Sequence, residues 1–167
     1  MHNQLTRTDT NETIVLPQDL RWTDEHEWSA IAQSEPQRTL SGSLIIQQGK
    51  KQAGRPITLQ ADNVWIPRAT VNQLRDWTDE AELKMTYAHH DGRTFHVIFA
   101  LHQQALTAEP VNYSTPETEN EHYTITLKLI TIQAAWNPRK KETTKWQQTN
   151  QPNTTAQTAF NTNRSTA

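Results

Sequence analysis

The chain has 167 residues, enough for one domain, and 34% of them are apolar, a share below that of a typical globular chain. Sixteen basic against eighteen acidic side chains leave a net charge of −2, so no global field draws the chain onto nucleic acid or an anionic membrane. With no cysteine, disulfides, thiolate metal sites and thiol nucleophiles are excluded, and assembly in a reducing cytosol is the expectation.

The polar start MHNQLTRTDTNE lacks the apolar centre of a signal peptide, and no apolar run is long enough to span a bilayer. Residues 1–12 read as a flexible segment, and 13–136 as a β-rich domain that holds nearly all the apolar residues. Thr13–Leu16 is a β-branched, apolar strand stopped by Pro17. Around Trp28 the alternation of Ala30 and Ala32 with Ile31 and Gln33 predicts a second strand that ends near Pro36. In Arg38–Gln48, Leu44 and Ile46 share one face of a strand and are assigned to the core. The run Pro56–Gln60 carries Ile57 and Leu59 on one face, and the Gln47–Arg55 connection with its two glycines predicts a hairpin that joins these two runs.

The period then changes. Val71, Leu74 and Trp77 recur at helical spacing within Arg68–Glu80, and Thr70 is placed to cap the first turn. Leu83–His90 and Thr94–Ala100 flank Asp91-Gly92, the strongest hairpin signal in the chain, with both residues expected at positive φ. A weaker strand follows over Leu106–Asn112. After a polar loop, Tyr123–Ile132 alternates as a long strand with one wet face. Leu44, Ile46, Ile57, Leu59, Phe95, Val97, Phe99, Ile125, Leu127 and Leu129 are the expected core. Residues 137–167 are nearly all Thr, Asn and Gln, which bury too little apolar area to offset chain entropy, and read as an extended polar C-terminal arm.

Chemistry finds no foothold in these patterns. His89 and His90 are adjacent, and on a strand they point to opposite faces, so at most one of them joins His96 across the hairpin; no metal is expected. The carboxylate pairs Asp24-Glu25 and Asp79-Glu80 lie in polar surroundings that do not raise a pKa as a general acid requires. No serine sits in a nucleophile-elbow motif, and Gly49–Gly54 lacks the order of a phosphate loop. Catalytic and cofactor residues are accordingly none. Of the six tryptophans, Trp28, Trp65 and Trp77 border regular elements and are assigned to packing. Trp22, Trp136 and Trp146 lie in polar segments and read as exposed interface anchors.

The succession TLSGSLIIQQG, the strand GRPITL at 54–59, Trp65, the helix with Leu74, LKMTYAHHDGRTFHVIFA and the closing YTITLKLITI resembles small tail proteins of tailed bacteriophages. It is most similar to the antiparallel β-sandwich or split-barrel domains, with one short α-helix, that form rings at the distal end of the tail tube. The likeness runs from Thr13 to Ile132 and carries no catalytic motif. It implies a non-enzymatic structural protein of the virion tail, made in the bacterial host cytoplasm. Its partners would be copies of itself in a ring of six or three and neighbouring tail-tube, hub or baseplate proteins, with no membrane and no specific nucleic acid.

On that reading the loop residues Gln48, Lys50 and Lys51 reach a neighbouring subunit. The C-terminal arm then orders on a neighbour through Arg139, Lys140, Lys141, Lys145 and Trp146, facing acidic surface such as Asp24–Glu27. Two other classes compete. A monomeric carbohydrate-binding module would use exposed tryptophan on a β-sandwich, and a nucleic-acid accessory protein would use the basic cluster at 139–145.

Overall fold

The computed structural model describes residues 2–112 and 115–134, all within the unit of the chain that ends at Trp136. Arg139, Lys140, Lys141, Lys145, Trp136 and Trp146, and with them the expected C-terminal arm, lie outside the described residues. In chain order the elements are β1 (Asn3–Arg7), β2 (Thr13–Leu16), β3 (Arg21–Trp22), β4 (Ile31–Gln33), β5 (Gln37–Arg38), β6 (Leu44–Ile45), β7 (Gln48–Lys50), β8 (Pro56–Gln60), β9 (Ile66–Pro67), α1 (Arg68–Thr78), β10 (Met85–Ala88), β11 (Thr94–Phe99), a 3-10 turn (Leu101–Gln103), β12 (Leu106–Pro110) and β13 (His122–Thr131). The fold is mainly β, its strand pairs antiparallel, with one α-helix among the described residues.

The main sheet runs β2-β1-β10-β11-β13-β8-β3, and β12 and β9 also pair with β13. The ten residues of β13 are long enough to serve four strands: β9 and β8 follow one another along one edge, β12 and β11 along the other. Its alternation buries Ile125, Leu127 and Leu129, and Leu127 faces Leu59 of β8 on one side and Leu106 of β12 on the other. The helix lays Val71, Leu74 and Trp77 on the same core, as its 3.6-residue spacing requires. It starts after Pro67 with no side-chain cap, so Thr70 does not cap it; proline at the helix boundary presets φ and has no N–H to satisfy. Among the described residues no helix is long and apolar enough to cross a membrane.

The start of the chain differs from expectation. Residues 3–7 are an inner strand of the sheet, between β2 and β10, and Leu5 is fully buried. Two buried polar side chains flank it, each satisfied by distant groups. Asn3 donates to the carbonyls of Pro17 and Gln18 at 3.0 and 3.3 Å and accepts from the His90 N–H at 2.9 Å. Arg7 spans the carboxylates of Asp9 and Glu80 at 2.7 and 2.5 Å and stacks its guanidinium over Trp77.

The Asp-Gly hairpin joins β10 and β11 as expected, with a different turn. Only Gly92 has positive φ, at 93°; the Gly92 N–H donates to the His89 carbonyl at 2.9 Å and the His89 N–H to the Arg93 carbonyl at 2.8 Å. This is a three-residue loop in which a turn is completed by glycine in the left-handed region. The predicted hairpin between 38–48 and 56–60 does not form. β8 pairs instead with β13 and β3, while the stretch before it folds back on itself away from the core. Leu44 and Ile46 are therefore exposed, at 51% and 43%. Phe95 is half-buried, and the other expected core residues are buried.

Candidate functional site

Residues 29–53 form an arm built of two short ladders. At its root Ile31 faces Lys50 and Gln33 faces Gln48. Beyond Pro36, which cannot donate to a ladder, Gln37 faces Ile45 and Arg38 faces Leu44. Gly42, at φ 86°, lets the chain reverse at the tip, where the Thr39 N–H donates to the Ser43 carbonyl at 2.9 Å. Because side chains alternate across a strand, Ile45 lies on the opposite face of β6 from Leu44. Ile31, Leu40, Leu44, Ile45 and Ile46 are all exposed, so the ribbon carries aliphatic side chains on both faces and covers neither. Gln48 and Lys50 lie on β7 within this arm, both exposed, as an interface role for them requires. Lys51 sits at the root with its Nζ 4.2 Å from the centre of the Trp28 ring.

The root is fixed to the body by a charged, aromatic cluster. The Gly54 N–H donates to the Thr131 carbonyl and the Thr131 N–H to the Arg55 carbonyl, both at 2.9 Å. The Arg55 guanidinium then packs over Trp22 at 4.5 Å and donates to the Glu25 carbonyl at 2.7 Å. Arg93 lies over the same ring at 5.2 Å and pairs with Asp91 and with the Glu25 carboxylate. Trp22 donates its Nε1–H to Asp24 at 2.6 Å, and Asp24 also accepts from the N–H and hydroxyl of Thr58, both at 2.9 Å. Trp22 is thus a buried part of the core; two arginines and an aspartate supply the partners that its polar neighbourhood concealed. Trp65 is the reverse. It is 57% exposed, with its edge on His122 at 5.7 Å, just before β9, whose Ile66 is the residue turned into the core.

The histidines do not behave as strand neighbours. β10 ends at Ala88, and in the turn the rings of His89 and His90 touch with centroids 4.1 Å apart. His96 sits elsewhere, opposite Thr86. His89 is buried against Trp22 and Tyr87, with Nδ1 2.9 Å from Asp91 Oδ1 but without the alignment of a hydrogen bond. Among the described residues no group of three histidine, aspartate or glutamate side chains could hold a metal ion.

Glu25 and Asp91 of this cluster are held ionised. Hydrogen bonding from Arg93 lowers Glu25 below the usual range against its desolvation. The Arg93 backbone N–H, and then its side chain, do the same for Asp91. Asp9 is lowered by Arg7. Burial pushes the Tyr87 hydroxyl up, so it stays neutral. A group whose folded pKa is depressed contributes stability that is complete above its unfolded value, about 4, and is lost as pH falls through the folded value. The midpoint of thermal unfolding is therefore expected to hold steady from neutral pH down to about pH 5 and to fall below about pH 4. A midpoint that rises on acidification would show that these pairs are not formed.

Alongside β13, α1, β12 and the 3-10 turn enclose a groove of about 550 Å³. Val71 and Ala105 form its floor and Leu101, Leu106 and Tyr123 its walls. No protein-family model matches the chain, and no curated protein matches it. The arm is the feature that periodicity alone misjudged. Leu40, Leu44 and Ile46 keep a strand period as core residues do, but Ile45 breaks it, and Gly, Ser, Gln and Lys surround the run 44–46.

Proposed function

We propose that the chain is a structural component of a bacteriophage tail, part of a baseplate or tail-tip ring at the distal end of the tail tube, acting in virion assembly. Contacts with further copies of itself, and with neighbouring tail-tube, hub or baseplate proteins, are its activity. The observation that carries this reading is the arm at 29–53, with aliphatic side chains exposed on both faces. A two-stranded ribbon is marginal in water without a surface to pack on, and contiguous exposed apolar residues mark interaction sites. The likeness of residues 13–132 to small tail proteins supplies the setting. Mass spectrometry of purified, salt-washed tails is expected to detect the chain at stoichiometric copy number, and immunogold labelling to place it at the distal end. Its absence from washed tails would overturn the reading.

Trp65 favours a second reading, a monomeric carbohydrate-binding module, because an exposed indole makes a platform for a sugar face. Glycan titration followed by tryptophan fluorescence, with Trp65→Ala as control, tests it. A saturable response abolished by the substitution would support a glycan site.

A further inference from the structure

We infer that the arm of one copy docks into the α1–β12 groove of the next, with Leu40 at the arm tip seated on Leu101, Leu106 and Tyr123, so that copies join head to tail. This deepens the proposed ring and rests on it for its biological setting. Four observations converge on the pairing.

The first is placement. The arm root is bonded to Thr131 at the end of β13, and Tyr123 at its beginning lines the groove. The groove runs alongside the strand from Tyr123 to Lys128, where Leu106 faces Leu127 and Ala105 bonds Lys128. Donor and acceptor are thus two different patches of one subunit, the geometry of a heterologous contact, which generates a ring when the rotation closes. The second is shape. Leu40 is wholly exposed at the tip of a hairpin, and the groove is an open apolar concavity of about 550 Å³ whose wall residue Leu101 is itself half-exposed.

The third is charge. On the groove rim Arg68 is paired with Glu117 at 2.6 Å, whereas Arg75 and Asp79 make no side-chain ion pair among the described residues. On the arm, Glu35 and Arg38 are exposed, and Arg38 reaches only the Gly42 carbonyl at 3.3 Å. Exposed Lys50 adds a further cation to the arm, so both signs stand on either surface, and Arg38 can meet Asp79 while Glu35 meets Arg75, contacts that set orientation and encounter more than affinity. The fourth is need. The ribbon covers neither face in its own subunit, and a neighbour that receives its tip covers Leu40, the most exposed of its aliphatic side chains.

Two variants and a cross-link test the contact, using the full chain. Leu40→Asp and Leu101→Asp change exposed side chains, so both proteins are expected to fold, with circular dichroism unchanged. Each alone should lose the oligomer and run as a monomer in size-exclusion chromatography with light scattering. Leu40→Asp retains its groove and Leu101→Asp retains its arm, so the mixture should give a 1:1 dimer that grows no further. Because the chain has no cysteine, Leu40→Cys mixed with a mass-tagged Leu101→Cys chain should form a mixed disulfide. Leu40→Cys mixed with Val15→Cys, a distant exposed site, should not, since a disulfide demands close, aligned Cα atoms. A monomeric parent chain, assembly that survives either substitution, or a mixture that stays monomeric would each overturn the inference. A chain found in tails but without the 40–101 cross-link would sink this contact and leave the proposed function standing. The cross-link in a chain absent from tails would do the opposite.

Discussion

Leu127→Ala is expected to lower the free energy of unfolding by about 2–5 kcal/mol, through lost transfer energy and the cavity left behind. Leu127 is 0% exposed and has strands on both edges of β13, with Leu59 and Leu106 as its direct neighbours. Its same-face neighbours Ile125 and Leu129 are buried too, so little mobile surface is available to collapse into the void. Urea unfolding followed by circular dichroism measures the change, with the slope unchanged if only the native state is affected. Leu44→Ala is the matched control. It removes the same atoms from an exposed site on the arm and should cost less than about 0.5 kcal/mol in the isolated subunit. Equal costs at the two positions would mean that the arm is packed after all, and a Leu127 cost below about 0.5 kcal/mol would put that face of β13 in solvent.

The contrast between those two leucines shows what periodicity reports. A strand that alternates in sequence has one apolar face, and nothing in the alternation says what covers it. For β11 and β13 the covering elements belong to the same chain, and the period, helped by an Asp-Gly turn, located them. In 38–48, Leu40, Leu44 and Ile46 keep the period although Ile45 interrupts it, yet the segment pairs with its own upstream neighbour and its aliphatic side chains are left to solvent. β1 failed to register for the complementary reason. NQLTR has one aliphatic residue, and the polar side chains that flank it are buried by bonds to groups far along the chain, Asn3 to the backbone of His90 and Arg7 to Glu80. A window of ten residues cannot contain such partners.

The arm and the groove together also explain why the candidate site was half legible. Gln48, Lys50 and Lys51 read as part of a reaching loop, and they lie on the exposed segment. Leu44 and Ile46 beside them read as core because their chemistry is that of a core, and both are exposed. The groove was invisible, since Val71, Leu101, Leu106 and Tyr123 come from four separate elements that only the closed sheet brings together.

Trp22→Ala is expected to cost about 3–5 kcal/mol in the isolated subunit, the range for deleting a buried aromatic side chain. The indole is 6% exposed, crosses Phe95 edge to face at 5.5 Å, and is covered by the guanidinium groups of Arg55 and Arg93. Its loss removes that apolar ring and takes from Asp24 its indole donor. Arg55 and Arg93 would then border a void they cannot fill without giving up Glu25. Since Arg55 directly follows the Gly54 link that ties the arm root to Thr131, the arm should loosen as well, seen as faster proteolysis within 29–53. Trp22→Phe keeps a ring for both arginines and should recover a large part of the loss. Trp65→Ala, at an exposed indole, should stay within about 0.5 kcal/mol of the parent. The opposite pattern, with Trp22→Ala stable to within about 0.5 kcal/mol and its assembly abolished, would return Trp22 to the role of interface anchor that its polar sequence context suggests.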